Sequence, residues 1–584
     1  MTNPIRWPWS DLAQGRLRED LPRDLLAGVV VAFLAVPQGV AYAVIAGLPP
    51  AAGLYAAAAP AIVGALFRSS RQVITGPTNA LSLLVGTAVG QVAAATGAEP
   101  AVIGVTLAAA VGAVQVLAGV LRLGAVVDYV SSAVVLGYVT GAGILIGIGQ
   151  LHELTGTAPS AGRSLDRLFA WALDLPRADL ASVALGLGSV LALLGLRRLD
   201  RRIPGPLVVM VVAIAAEGAL GLGRRGMRVI ADLAPVPSGL PPTSSPDPGL
   251  LPALLPVAAA CTVLSLVESS AVARSLALAS GQRLQMSWEF IGQGLANLVA
   301  GLTSGYPTSG SLVRSTLNQQ AGARTRLAGV ATGVAMLVVL LALGPVVSRT
   351  PLPVLAGLLV VVAADLVSPA RIRRVLRSGR TDAWAFLTTL AGTMLFPLDQ
   401  AIYLGVGISL ALFLRRARLL VVRELVVDAH GHLTEVGLGA PRPETERCDF
   451  IRLIQLEGPL FFGSAGELLG ALDEAAGDQR VRAIVVRLKR TQGFDVTIAN
   501  AFEATAATLA RQGRTLFLVG MRREQMQALE RTGVRATLGD DHLFPTQDEW
   551  FAAMEDAIER ALAMVDDDGH RDSCPLRRRA LRRP

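Results

Sequence analysis

The feature that most constrains this chain is a succession of apolar runs that begins at Leu25 and continues to about Leu420. An α-helix rises about 1.5 Å per residue, so about 20 apolar residues cross a hydrocarbon layer about 30 Å thick. Broken at glycine, proline and arginine clusters, the stretch divides into fourteen such segments. Backbone polar groups inside hydrocarbon must be satisfied internally, so the expected fold class is an α-helical membrane protein with 14 transmembrane segments. The composition agrees: 52% of the 584 residues are hydrophobic and the mean hydropathy is +0.51. The first residues lack the short apolar core and cleavage site of a signal peptide, so the first run is expected to stay as a membrane helix.

Charge placement orients the segments, because cytoplasmic loops are rich in Lys and Arg. With the N-terminus inside, the inner loops hold Arg68 and Arg71, Arg122, Arg197 to Arg202, Arg274 and Arg283, Arg324 and Arg326, Arg371 to Arg380, and Arg415 to Arg418. Outer loops such as 93-AAATGAE-99 and 396-FPLDQ-400 lack them, with Arg224, Arg225 and Arg228 as exceptions. Both termini are therefore expected in the cytoplasm. Lys489 is the only lysine, and an Arg-, Ala- and Gly-rich chain suggests a GC-rich bacterial genome, hence a bacterial inner (cell) membrane.

Beyond Arg423 the pattern changes. Runs at 451–458, 481–488 and 514–520 read as strands, alternating with helices at about 464–476, 497–511, 522–532 and 547–563. Four regions are expected: a cytoplasmic N-terminal segment 1–23, a transmembrane region 24–422, a small cytoplasmic α/β domain 423–565, and a disordered tail 566–584. Cys261, Cys448 and Cys574 lack metal-ligand spacing and predict no disulfide framework. The five histidines form no metal motif, and no nucleophile, base and orienter set stands out, so no metal, no cofactor and no enzyme activity are expected.

Two stretches break the helical pattern in a matched way: 75-TGPTNALSLLVG-86 and 305-GYPTSGSLVRST-316. Each carries a Pro-Thr pair and then small polar residues, namely Pro77, Thr78, Asn79 and Ala80, and Pro307, Thr308, Ser309 and Gly310. These predict two short segments opening at Thr78 and Ser309, with proline in the first turn and Thr, Asn or Ser capping. A helix that begins inside the membrane leaves free N–H donors and the positive end of its dipole, and two such ends facing one another make an anion site without a lysine. Interrupted helices in corresponding halves mark the binding site of inverted-repeat transporters.

The run 37-PQGVAYAVIAGLPPAAGLYAAAAPAIVGALFRSSRQVITGPTNALSLLVG-86 resembles the signature region of the SulP anion permeases, the sulfate transporter and anion-exchanger family that includes prestin. The stretches 263-VLSLVESSAVARSLALASGQ-282 and 305-GYPTSGSLVRSTLNQQAGARTR-326 match in register, and the C-terminal domain is similar to the family's STAS domain. The resemblance implies a 7+7 inverted repeat, a core subdomain from segments 1–4 and 8–11, and a gate subdomain from segments 5–7 and 12–14. It further implies an elevator motion of core past gate and a homodimer.

Under that resemblance Gln38 lies beside the anion, unless it only ties helices together, and Tyr42, one turn on, walls the pocket or simply packs. Thr78, Asn79 and Ala80, with Ser309, Gly310 and Ser311, would offer backbone amides, and Arg314 a positive potential. Glu268, the only acid in 250-LLPALLPVAAACTVLSLVESSAVA-273, is expensive to ionise in a membrane helix and becomes a candidate proton carrier. A structural Glu268–Arg314 pair remains open, as does a sodium site with Thr262, Ser265 and Ser269. In the C-terminal domain, Phe494-Asp495-Val496-Thr497 matches the STAS turn at which a hydroxyl is phosphorylated. Ile498 and the nearby Lys489, Arg490 and Gln492 depart from the pattern, and Thr497 reads first as a helix N-cap.

The expected function is secondary active transport of a small oxyanion of the sulfate, bicarbonate or dicarboxylate class, by proton symport with H+ preferred over Na+. Sodium symport or anion exchange, an uncoupled anion channel and a STAS-linked sensor are the alternatives. A nucleobase permease would need paired membrane acids, where segment 8 supplies only Glu268.

Overall fold

The computed structural model describes residues 17–124, 131–158, 164–199, 204–439, 444–547, 551–565 and 574–581. Residues 1–16 of the expected N-terminal segment, Arg201 and Arg202 of an inner loop, and 566–573 and 582–584 of the expected tail lie outside that set. The chain divides into two compact units, Met1–Leu410 and Ala411–Pro584.

The first half of the helical unit runs α1 (Leu17–Ile45), α2 (Pro50–Phe67), β1 (Thr75–Gly76), α3 (Asn79–Thr96), α4 (Pro100–Val120), α5 (Ser132–Thr155), α6 (Ser164–Asp174), α7 (Leu180–Leu199) and α8 (Gly205–Leu220). The second half runs α9 (Leu251–Ser280), α10 (Met286–Leu302), β2 (Ser309–Gly310), α11 (Leu312–Gln320), α12 (Leu327–Val347), α13 (Leu352–Leu366), α14 (Pro369–Ser378), α15 (Arg380–Leu395) and α16 (Leu398–Ala417). The two halves have the same order. In each, the third helix follows a two-residue strand, and a short amphipathic helix, α6 or α14, follows the fifth. With those two set aside, fourteen segments in a seven-plus-seven arrangement remain. Ten helices among the described residues are long and apolar enough to cross a bilayer.

The expectation of two short segments holds for one only. α11 has nine residues and reaches about 14 Å, whereas α3 has 18 and nearly spans the hydrocarbon. Helix α3 starts where expected, with Thr78 at the N-cap position although its hydroxyl makes no capping bond, but α11 starts at Leu312, because Ser309 and Gly310 are drawn into β2. Pro77 and Pro307 therefore precede their helices and do not occupy a first turn.

Packing separates the helices into two groups. α1 packs on α2 and α12, and α10 on α4 and α2; α5 packs on α13 and α15, and α7 on α13. Small residues allow the close crossings. At the α1–α2 crossing a Cβ built on Gly53 would lie 1.8 Å from the Gly39 carbonyl oxygen. No rotamer relieves that overlap, so one helix would have to move. Gly53→Val is expected to leave no monodisperse peak in size-exclusion chromatography, where the parent chain elutes as a single species.

The second unit opens with β3 (Val421–Asp428), β4 (Leu433–Gly437), β5 (Thr445–Glu446) and β6 (Ile451–Pro459). It continues with α17 (Ala465–Ala476), β7 (Ala483–Gln492), α18 (Val496–Arg511), β8 (Thr515–Met521), α19 (Arg523–Thr532), α20 (Val534–Leu538), β9 (Leu543–Pro545), α21 (Ala552–Val565) and α22 (Pro575–Leu581). Its sheet has the order β4-β3-β6-β7-β8-β9, parallel from β6 to β9, with β3 antiparallel to β6. One face packs α17, α18 and α19 through Leu468, Phe502 and Leu529, and the other packs α21 through Ile558.

Three expectations change here. The boundary placed after residue 422 falls inside β3, whose pairing with β6 begins at Val421. The tail is not wholly disordered: Cys574 and Leu576 are buried against the sheet, and Arg579 pairs with Glu555 at 2.6 Å. Thr497 is not the cap of α18. Asp495 is, accepting a 3.0 Å hydrogen bond from the Ile498 amide, while Thr497 is exposed in the first turn. Cys448 and Cys574 are thiols with sulfurs 2.9 Å apart. Their hydrogen bond pulls the Cys574 thiol down and pushes Cys448 up.

Candidate functional site

The two breaks meet. β1 and β2 pair antiparallel, Thr75 with Gly310 and Gly76 with Ser309. Antiparallel strands leave the pair in opposite directions, so α3 and α11 depart from a shared point with their N-termini toward it. The arrangement is short because small residues are required: a Cβ on Gly310 would lie 2.9 Å from the Ser269 hydroxyl oxygen.

Several amides at these ends are free. Among the described residues, those of Asn79 and Leu81 at α3, and of Leu312 and Val313 at α11, have no hydrogen-bond partner. Two amides named from sequence are engaged: Ala80 donates to its neighbour Asn79 Oδ1 at 2.8 Å, and Ser311 to the Ile74 carbonyl at 3.0 Å. The donor set thus shifts one to two residues into α11, because β2 consumes the residues before it. Ser311 Oγ caps α11 by accepting from the Arg314 amide at 3.4 Å.

The structure brings the other sequence-derived residues to the same region. Gln38, 5% exposed on α1, holds an Oε1 without a partner. Tyr42 is buried one turn on, within electrostatic range of Arg314 and Glu268. Arg314 is buried, donates to the Pro77 carbonyl, and keeps an unpartnered Nε. Glu268 accepts from the Thr78 hydroxyl at 3.0 Å, and the Ser309 hydroxyl is also within reach of it. No ion pair joins Glu268 to Arg314 among the described residues.

Sequence reasoning missed the residues that hold this crossing in place. Tyr306, fully buried, shares a 3.0 Å hydrogen bond with Ser82 and lies near Arg314 and Tyr42. The Thr308 carbonyl accepts from Gln293 at 2.8 Å, Ser265 at 2.9 Å and Asn297 at 3.2 Å, while Thr308 donates its amide to Asn297 Oδ1 at 2.7 Å. Arg68 donates to Ser269 and Thr75, each at 2.9 Å, and to Gln293, and lies 3.7 Å from Glu289. The readable signal was Glu289, Gln293 and Asn297 at four-residue spacing, which places three polar groups on one face of α10. Ser265 and Ser269, named as sodium ligands, serve this scaffold, while the Thr262 hydroxyl has no partner.

Buried polar groups stripped of partners cost about 1–3 kcal/mol each. Asn297→Leu orphans the Thr308 amide and the Gln115 side chain, which accepts from Asn297 at 2.8 Å. It is expected to cost about 2–4 kcal/mol, read as a drop in the fraction of protein that stays monodisperse after heating.

Residues 21–389 match the model of the sulfate permease family, and 442–550 that of the STAS domain. A curated relative, "Probable sulfate transporter" of Mycobacterium tuberculosis, is 29% identical over 546 residues, 91% of this chain and 94% of that one. Among solved structures, SLC26A9 superposes with a TM-score of 0.87 at 21% identity, covering 97% of this chain and 94% of that one. The transmembrane domain of the cyanobacterial bicarbonate transporter BicA gives 0.57 at 23% identity, covering 67% and 97%.

Proposed function

Because the chain belongs to the sulfate permease family and carries a STAS domain, we propose that it is a secondary active transporter of a small oxyanion, sulfate, bicarbonate or a dicarboxylate. The observation that carries this reading is the pair of helix N-termini meeting at β1 and β2, with free amides at both ends and Arg314 beside them. Amides and dipoles attract an anion without a fixed positive ligand, and the absence of a strong salt link leaves it free to depart. Gln38 supplies a neutral donor, Tyr42 a wall, and Thr78, Asn79, Ala80, Ser309, Gly310 and Ser311 the close backbone approach.

Glu268 is the proposed proton carrier. It accepts from the Thr78 hydroxyl, and no ion pair joins it to Arg314 among the described residues, which supports a proton carrier over a structural salt bridge. The engagement of Ser265 and Ser269 in the scaffold supports H+ over Na+. The division of helices into an α1–α4 and α9–α12 group, and an α5, α7 and α13–α15 group, supports an elevator in which the site rides on the first. The protomer is taken to pair as a homodimer in a bacterial inner membrane, with both termini cytoplasmic. Thr497, exposed at the start of α18, remains available to a kinase.

The test is uptake by the purified chain in liposomes against labelled sulfate, bicarbonate, nitrate and C4-dicarboxylates. At least one should enter faster than into empty vesicles. If none does, the reading fails.

A further inference from the structure

The two repeats place a short amphipathic helix at equivalent positions, and the two helices carry opposite charge character. α6, SLDRLFAWALD, balances Arg167 against Asp166 and Asp174. α14, PARIRRVLRS, holds four arginines and no acid. Along α14, Ile372, Val375 and Leu376 fall on one side at helical spacing, while Arg371, Arg373, Arg374 and Arg377 share the other. All four arginines are exposed, and no hydrogen bond or ion pair engages any of them among the described residues.

The fold does supply acids nearby. Arg197 takes Asp365, just before α14, in a bidentate pair of 2.8 and 2.7 Å. Leu376 is 44% exposed on the apolar side, and Trp384 is 66% exposed at the start of α15. A basic polar face, an apolar face and a flanking tryptophan define a helix that lies in a membrane interface.

We propose that α14 is a docking surface for the anionic phospholipid headgroups of the cytoplasmic leaflet. Charge complementarity selects this occupant: both repeats place a short amphipathic helix here, yet only α14 carries an excess of arginine, and the topology assigns α14 to the anionic leaflet. The arginines fork onto phosphate while Ile372, Val375 and Leu376 enter the acyl boundary. The proposal rests on the topology given above.

The test uses the full chain in vesicles of phosphatidylcholine and phosphatidylglycerol containing a trace of photoactivatable phosphatidylglycerol, with the labelled peptide identified by mass spectrometry. The 369–380 peptide should be labelled, and the label should be competed by unlabelled phosphatidylglycerol but not by phosphatidylcholine or by inorganic phosphate. The R373Q/R374Q/R377Q variant should lose at least tenfold of that label, and the corresponding lysine variant should keep most of it. An unlabelled α14, equal competition by phosphatidylcholine, or an undiminished glutamine variant would overturn the proposal. Competition by inorganic phosphate would also overturn it, by assigning the arginines to a soluble anion. Both leaflets hold the probe and no flux is measured, so neither a wrong topology nor a failure of transport can mimic these outcomes.

Discussion

Oxyanion uptake by Gln38→Glu is expected to fall about a hundredfold at neutral pH, with a monodisperse elution profile retained. Gln38 is buried on α1 with its Oε1 unpartnered, so the exchange breaks no hydrogen bond of that atom. It introduces a negative charge where the anion binds. A unit charge about 5 Å from a monovalent anion, at an effective dielectric of about 20, opposes it by about 3 kcal/mol, which is about a hundredfold in affinity. Gln38→Met removes the donor without adding charge and should lose only about tenfold, the worth of one hydrogen bond to a charged group. Tracer uptake by both variants checks the contrast. Normal uptake by Gln38→Glu would remove Gln38 from the site and favour its role as a tie between helices.

The second large effect is expected at Glu268. Glu268→Gln keeps the side chain's shape and can still accept from Thr78, which now donates 3.0 Å to the carboxylate. Anion binding and exchange between equal anion pools should therefore persist. Acceleration of uptake by an inward proton gradient should disappear, because the amide has no proton to load and release. In the proposed elevator, loading a proton with the anion would lower the net charge carried through the bilayer, and that would be the physical value of the coupling. If the variant responds to the gradient as the parent does, Glu268 is not the coupling residue.

The meeting of the two helix starts was legible because Pro-Thr followed by small polar residues is a local signal, and because it occurs twice. The position of the second start was not. Whether Ser309 begins a helix or begins a strand depends on Thr75 and Gly76, more than 200 residues away, and only pairing decides it. The scaffold behind the site was hidden for the same reason: Arg68, Gln115 and Ser265 look like isolated polar residues until α10 joins them. In the STAS unit, Asp495 and Thr497 are both capable caps. The helix starts one residue before Thr497, a displacement smaller than a periodicity argument resolves. The terminal helix was obscured by its arginines, whereas the described residues that bury it include Cys574, just before it, and Leu576.

The central claim is that this site drives net anion accumulation. The most direct measurement is the final internal concentration of labelled substrate in proteoliposomes under an imposed inward proton gradient, compared with the electrochemical equilibrium of the anion. The account predicts accumulation above equilibrium that collapses when a protonophore dissipates the gradient. A plateau at equilibrium, unchanged by the protonophore, would contradict it and make the protein an anion channel.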